Sequence, residues 1–246
     1  MSVSSYADDL EIIPSVYFFN YEEFNTLGVS LDKEIGIVPG IKIKYLYQHN
    51  SLTVSPFFSL HDGSVDYIGS TQTGSSHNTK TNTNLFTAGV EFDFQLINNF
   101  NFIGGMQHTQ WDRDILSTNG VLGLHELYTW TELSAGVSYQ SDIFNNSYYS
   151  FSISALYILN PAMKIYLQST DETLRLGEGP GIRFLVGKKW ILQEDTIRLN
   201  LITEYWQFGR SNTVFTNDFF GSSVFITEPE SKSLHTRIEL VFGSVF

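Results

Sequence analysis

Glu34 to Gln48 reads EIGIVPGIKIKYLYQ, and its odd and even positions belong to different worlds. The odd row is Ile35, Ile37, Pro39, Ile41, Ile43, Tyr45 and Tyr47. The even row is Glu34, Gly36, Val38, Gly40, Lys42, Lys44, Leu46 and Gln48. Side chains of a strand alternate between its two faces, so a greasy row beside a polar or small row predicts a strand between two unlike environments. Asn84–Leu96 repeats the rhythm, with Phe86, Ala88, Val90, Phe92, Phe94 and Leu96 against Thr87, Gly89, Glu91, Asp93 and Gln95. Ser147–Leu159 and Leu234–Phe246 do the same. Less clean alternation lies near 12–24, 51–62, 100–110, 124–140, 181–192 and 196–208. The total is ten strands, many of them far longer than the usual ~5–6 residues. No segment has helical spacing.

The connections alternate in length. Those near 49–50, 97–99, 141–146 and 193–195 are short and rich in Asn, Asp and Ser. Those near 25–33, 63–83, 111–123, 160–180 and 209–233 are longer, and the polar stretch Thr71–Thr83 reads as a solvated loop tip. Short turns at one end and long loops at the other are expected of an antiparallel transmembrane β-barrel, with both termini on the short-turn side. Residues 11–246 are expected to form that single barrel. Ser5-Tyr6-Ala7 before Asp8-Asp9 resembles the end of an export cleavage site, so residues 1–10 are expected to be a periplasmic extension carrying its remnant.

Composition narrows the function classes. The 246 residues hold 14 Lys+Arg against 26 Asp+Glu, a net charge of -12, which argues against nucleic acid as a partner. Charged residues make up only 16%, below the roughly 25% of soluble domains. Aromatics reach 15%, which excludes a disordered chain. No run approaches the ~18 apolar residues of a membrane helix. There is no cysteine, and so no disulfide framework, thiolate metal site or cysteine nucleophile.

Alternation alone does not separate a membrane barrel from a soluble one; three features do. Aromatics gather beside the short turns: Tyr45, Tyr47, Phe92, Phe94, Phe100, Phe102, Tyr139, Tyr149, Trp190 and Phe246. Such rings favour the headgroup level. The opposite face carries charges at mid-strand, Lys42, Lys44, Arg183, Arg198 and Arg237 against Glu91, Asp93, Glu126, Glu132, Glu204 and Glu239. In a membrane these turn inward and pair. Finally, Ile238, Leu240, Phe242 and Phe246 end the chain on an alternating strand. That ending resembles the C-terminal signature of bacterial outer-membrane β-barrel proteins. The resemblance implies that Phe242 and Phe246 are read by the barrel-assembly machinery. It also implies a place in the outer membrane, among its lipid and lipopolysaccharide. Ten strands is the count of omptin proteases and of OpcA-like adhesins, which is analogy of fold only.

Eight strands are just filled by side chains and ~16 leave an open channel, so a ten-stranded lumen is expected to be plugged by the ion-pair network, with a narrow water path as the alternative. Catalytic candidates are thin. Asp112 and Asp114 share a face around Arg113, and His125 lies across the following loop. The spaced Asp-x-His of the omptins is missing, and His61-Asp62 are neighbours that point apart. The six His are scattered without ligand spacing, and Asp171, Glu172 and Glu178 read as a charged loop face, so neither metal nor cofactor is expected. Between Ser211 and Lys232, Val214, Phe215, Phe219, Phe220, Val224 and Phe225 form a dense apolar set. They are expected to act as a lid over the mouth or as a contact for lipid or a protein partner. The favoured reading is a non-enzymatic, adhesin-like surface protein; the alternatives are a narrow solute channel and an omptin-like hydrolase at the rim.

Overall fold

A computed structural model describes residues 7–70, 76–118, 120–167, 170–192, 195–217 and 221–245. Phe219, Phe220 and Phe246 lie outside them. Ten strands make the wall: β1 (Ala7–Phe24), β2 (Ser30–His49), β3 (Leu52–Ser70), β4 (Ser76–Ile97), β5 (Phe100–Ile115), β6 (Leu124–Gln140), β7 (Ser147–Tyr166), β9 (Gly179–Leu192), β10 (Asp195–Phe208) and β13 (Glu230–Val245). Each pairs antiparallel with its neighbours, and β1 with β13 closes the ring, so no strand edge is left open. Three short strands stand outside it. β8 (Asp171–Arg175) folds back on β7, while β11 (Val214–Asn217) and β12 (Ser223–Ile226) form a hairpin.

The two faces sort as the alternation requires. Ile35, Ile41, Tyr45, Phe58, Phe92, Phe102, Phe151 and Leu240 point outward and are exposed. Their parity partners Glu34, Val38, Ser59, Ser154 and Glu239 are buried inside. At the short-turn end Lys188 lies over the rings of Tyr149 and Trp190, an amine reaching from the girdle toward water. The apolar outward row stops well before the strands do. Above it the outer wall carries Glu22, Lys33, Asp66, Lys80, Asn82, Asp112 and Asp114, so the barrel stands out of the membrane on that side.

This projection corrects the reading of the long connections. β3 and β4 run on to Ser70 and from Ser76, through most of the segment read as a loop. In water both faces of a strand can be polar, as in Asn78, Thr79, Lys80, Thr81, Asn82 and Thr83, and the period-two contrast disappears. β7 likewise continues to Tyr166 past a register shift opposite Thr129–Thr131, where Asn160 takes φ 48°. That bulge resets parity, so Ile158 and Met163 are both buried inside. β1 already pairs from Ala7 with Gln48.

Candidate site: a lumen closed at one end

From the short-turn end the lumen opens as a polar vestibule. Its mouth is a cavity of about 370 Å³ whose wall includes Glu11, Gln48, Asp93, Gln95, Asn101, Gln140, Tyr148, Lys189 and Arg198. A deeper cavity of about 240 Å³ follows, with Lys44, Ser55, Asp93, Gln140 and Arg198 common to both walls, and it ends near Tyr17 and His61. The expected charges line it in pairs. Lys42 and Lys44 donate to the two oxygens of Glu91 at 2.7 and 2.6 Å, and Lys42 lies 3.9 Å over the Phe57 ring. Arg183 joins Glu204 at 2.6 Å and Glu132 at 2.8 Å. Arg237 joins Glu239 at 2.8 Å and donates to the Tyr17 hydroxyl. Arg198 takes Glu11 at 3.1 Å, a partner that the alternation of β1 could have named but that the sequence reading missed. Asp93 has no ion pair among the described residues and has Asn101 beside it.

Glu126 is not part of this network. Above His61 the lumen is filled by apolar side chains, including Phe19, Trp111, Trp130, Ile158, Met163, Leu174, Trp206 and Phe208. Trp111 stacks on Tyr128 at 4.9 Å, and Trp130 meets Trp206 at 5.3 Å. Glu126 sits at the outer end of this plug, on a different cation. Arg113 bonds Glu126 at 2.7 Å, Glu34 at 2.9 Å and Glu23 at 3.0 Å, with Asp32 at 3.8 Å. Thr81 donates to Glu34, Tyr67 to Asp32, and Tyr128 to Glu228 at 2.6 Å. The cluster ties β1 to β6 and the segment before β13 into one knot. Its outward neighbours are Glu22, Lys33, Asp112 and Asp114, so it lies above the apolar belt. Burial pushes the Glu23 carboxyl up to about 8, helped by the charge of Glu228; burial takes Asp32 to about 9, helped by Glu23; burial takes Glu228 to about 8, helped by Glu126.

The catalytic candidates face the other way. Arg113 points into the lumen, so Asp112 and Asp114 share the outer wall, as their parity demands. His125, across the loop between β5 and β6, lies directly opposite Asp114 in their ladder. Its Nε2 stands 3.0 Å from Asp112 Oδ1, and its ring stacks on Tyr166 at 4.4 Å. A carboxylate–imidazole pair can move a proton, yet this one is half-exposed on a convex wall. Among the described residues no group of His and carboxylates is placed to hold a metal.

The β11–β12 hairpin crosses the outer mouth. Val214 and Ile226 pack on the plug, and Thr216 donates to Glu172 at 2.8 Å beside β8. The rings of Phe215 and Phe225 meet tilted at 5.1 Å and are 62% and 72% exposed.

No family model and no curated protein matches the sequence. Solved structures do resemble it in fold. The outer-membrane protease OmpT of Escherichia coli aligns with a TM-score of 0.57 at 10% identity, over 100% of this chain and 99% of that one. The β-domain of the Bordetella autotransporter BrkA gives 0.52 at 8% identity, over 98% and 100%. The translocator domain of NalP from Neisseria meningitidis gives 0.50 at 9% identity, over 100% and 90%. Closed ring, outward apolar belt and these likenesses agree: the chain has the fold of the bacterial outer-membrane β-barrels, with an apolar belt that suits a bilayer.

Proposed function

We propose that this barrel is a non-enzymatic surface protein that presents its outer end to a protein partner. One observation carries the reading: the β11–β12 hairpin is fixed on the plug by one side and holds Phe215 and Phe225 out to solvent on the other. Large exposed rings on an anchored support are what a protein contact uses. The filled outer lumen favours this over a solute channel, since packed side chains including Trp111 and Trp206 occupy it. The outward placement of Asp112 and His125, away from any groove, favours it over a hydrolase. Around the belt, lipid and lipopolysaccharide are the expected neighbours, and the assembly machinery is the expected partner during insertion.

The test is the double variant Phe215→Ser/Phe225→Ser displayed on cells or in nanodiscs. Because both rings face water, its unfolding temperature should stay unchanged while binding to a host-surface or cell-envelope protein array is lost. Unchanged binding, or porin-sized conductance steps in planar bilayers, would overturn the proposal. Peptide cleavage that disappears in Asp112→Asn would replace it with the hydrolase reading.

A further inference from the structure

We propose that the periplasm-facing mouth binds a small hydroxylated oxyanion, a sugar phosphate or sugar acid, held by Tyr148, Lys189 and Arg198. The three residues form one row across three adjacent strands. Tyr148 on β7 is the register partner of Lys189 on β9, and Lys189 is the register partner of Arg198 on β10. All three line the mouth cavity. Side chains at such positions have Cβ atoms about 4.5–5.5 Å apart, and like charges directly opposite each other oppose folding. Lys189 beside Arg198 is such a pair.

The other cations of the vestibule each hold a carboxylate at 2.6–2.8 Å, Lys42 and Lys44 at Glu91, Arg183 at Glu132 and Glu204, Arg237 at Glu239. The pairing at this corner is looser. Arg198 directs Nη2 to both oxygens of Glu11, at 3.1 and 3.2 Å, and leaves its buried Nε without a partner. Among the described residues Lys189 has no carboxylate at ion-pair distance, although Glu11 and Asp9 are near it, and the Tyr148 hydroxyl has no hydrogen bond. Of the other acids nearby, Asp93 has Asn101 and Lys44 beside it, and Asp9 has interactions of its own. A phenol O–H, an ammonium and a guanidinium therefore line one open cavity side by side, all donors and two of them charged. That is the donor set of a carboxylate or phosphate site.

What adjoins the row gives the rest of the ligand. Deeper in, β6 and β7 offer Ser138, Ser150, Ser152 and Ser154, and β10 offers Asn200, all on the wall of the inner cavity. Ser138 Oγ and Asn200 Oδ1 are buried without a partner. Small hydroxyls and an amide acceptor suit the hydroxyls of a sugar, whose charged end would remain at the row. The site lies at the opposite end of the barrel from the surface hairpin and does not depend on the reading of that hairpin.

The experiment is isothermal titration of the full chain in nanodiscs with inorganic phosphate, glucose 6-phosphate and glucuronate. Glucose 6-phosphate or glucuronate, whichever charged group the row prefers, should bind roughly tenfold tighter than phosphate. Lys189→Gln should weaken that binding about tenfold or more, while its ligand-free unfolding temperature holds or rises because a repulsion is gone. Arg198→Gln alone would strand Glu11, so it is combined with Glu11→Gln, and this double variant should also lose binding. No heat from any probe at about 10 mM overturns the proposal, as does equal affinity in wild type and Lys189→Gln. Equal affinity for phosphate and both sugars overturns the sugar part of it.

Discussion

Arg113 is, among the described residues, the only cation facing Glu23, Asp32, Glu34, Glu126 and Glu228. One positive charge cannot balance five buried negative ones, so the cluster holds protons. Glu23 and Asp32 share a hydrogen bond that requires one. The folded values of Glu23, Asp32 and Glu228, about 8, about 9 and about 8, stand above their ordinary 4.5, 3.8 and 4.5. The folded state thus binds more protons than the unfolded one throughout that interval. Their contribution is most favourable below pH 4 and is lost as the pH rises to about 9. The outer half should accordingly melt at lower temperature at pH 9 than at pH 6. Glu228→Gln keeps the acceptor for Tyr128 without the charge, so it should flatten this slope and raise the melting temperature at pH 9. Circular dichroism melts across that range decide, and identical slopes in the two proteins would remove the mechanism. Arg113→Met, which strands the carboxyls, should cost about 3–5 kcal/mol in denaturant titration. Much of this was within reach of parity. Trp111, Arg113 and Ile115 alternate with Asp112 and Asp114, so the shared face of the two acids already turned Arg113 inward. What parity does not give is height. Glu126 shares its inward face with Glu132, but the aromatic plug lies between the clusters they join.

Strand signals survive only where the two sides of the wall differ. β2 and the lower part of β4 separate an apolar outside from a polar lumen, and their alternation was readable, although β2 begins at Ser30 rather than Glu34. The upper part of β4 has water outside and Thr81 and Thr83 inside, and it read as a solvated loop tip. β7 was lost at Asn160, because a bulge shifts the alternation by one and mimics a strand end. The hairpin β11–β12 showed as an apolar loop but not as strands, each having only 4 residues. Between β2 and β3 a close approach replaces ordinary packing. A Cβ on Gly40 would collide most closely with the His61 ring, which passes over Gly40 to Ser15 of β1 at 2.8 Å, and also with the Leu60 carbonyl. Gly40→Ala should therefore cost about 1–3 kcal/mol through the displaced ring. In the His61→Ala background the same change should cost distinctly less, a coupling that urea titrations of the four proteins would measure. Additive costs would mean that His61 is not what Gly40 accommodates.

At the scale of the whole barrel, the outward apolar row on β2 runs from Ile35 to Tyr47, and on β3 from Leu52 to Leu60. At about 3.3 Å per residue and a tilt of about 40°, these are roughly 30 and 20 Å tall, bracketing the ~25 Å band of outer-membrane barrels. Ile41 lies midway along the β2 row, between Pro14 and Leu60 of the flanking strands. If the row meets acyl chains, Ile41→Arg puts a charge near the bilayer centre and should cost about 2–4 kcal/mol in vesicles. Thr87, on the cavity wall at a similar depth, faces water and should accept Lys at smaller cost. The order of the two costs tests the orientation itself, because a water-soluble barrel would reverse it: Arg at position 41 would reach solvent, and Lys at position 87 would enter the core. Urea titration of both variants in lipid vesicles gives the comparison. A tolerated Ile41→Arg with a damaging Thr87→Lys would turn the barrel inside out and withdraw the membrane, the periplasmic mouth and the surface hairpin together.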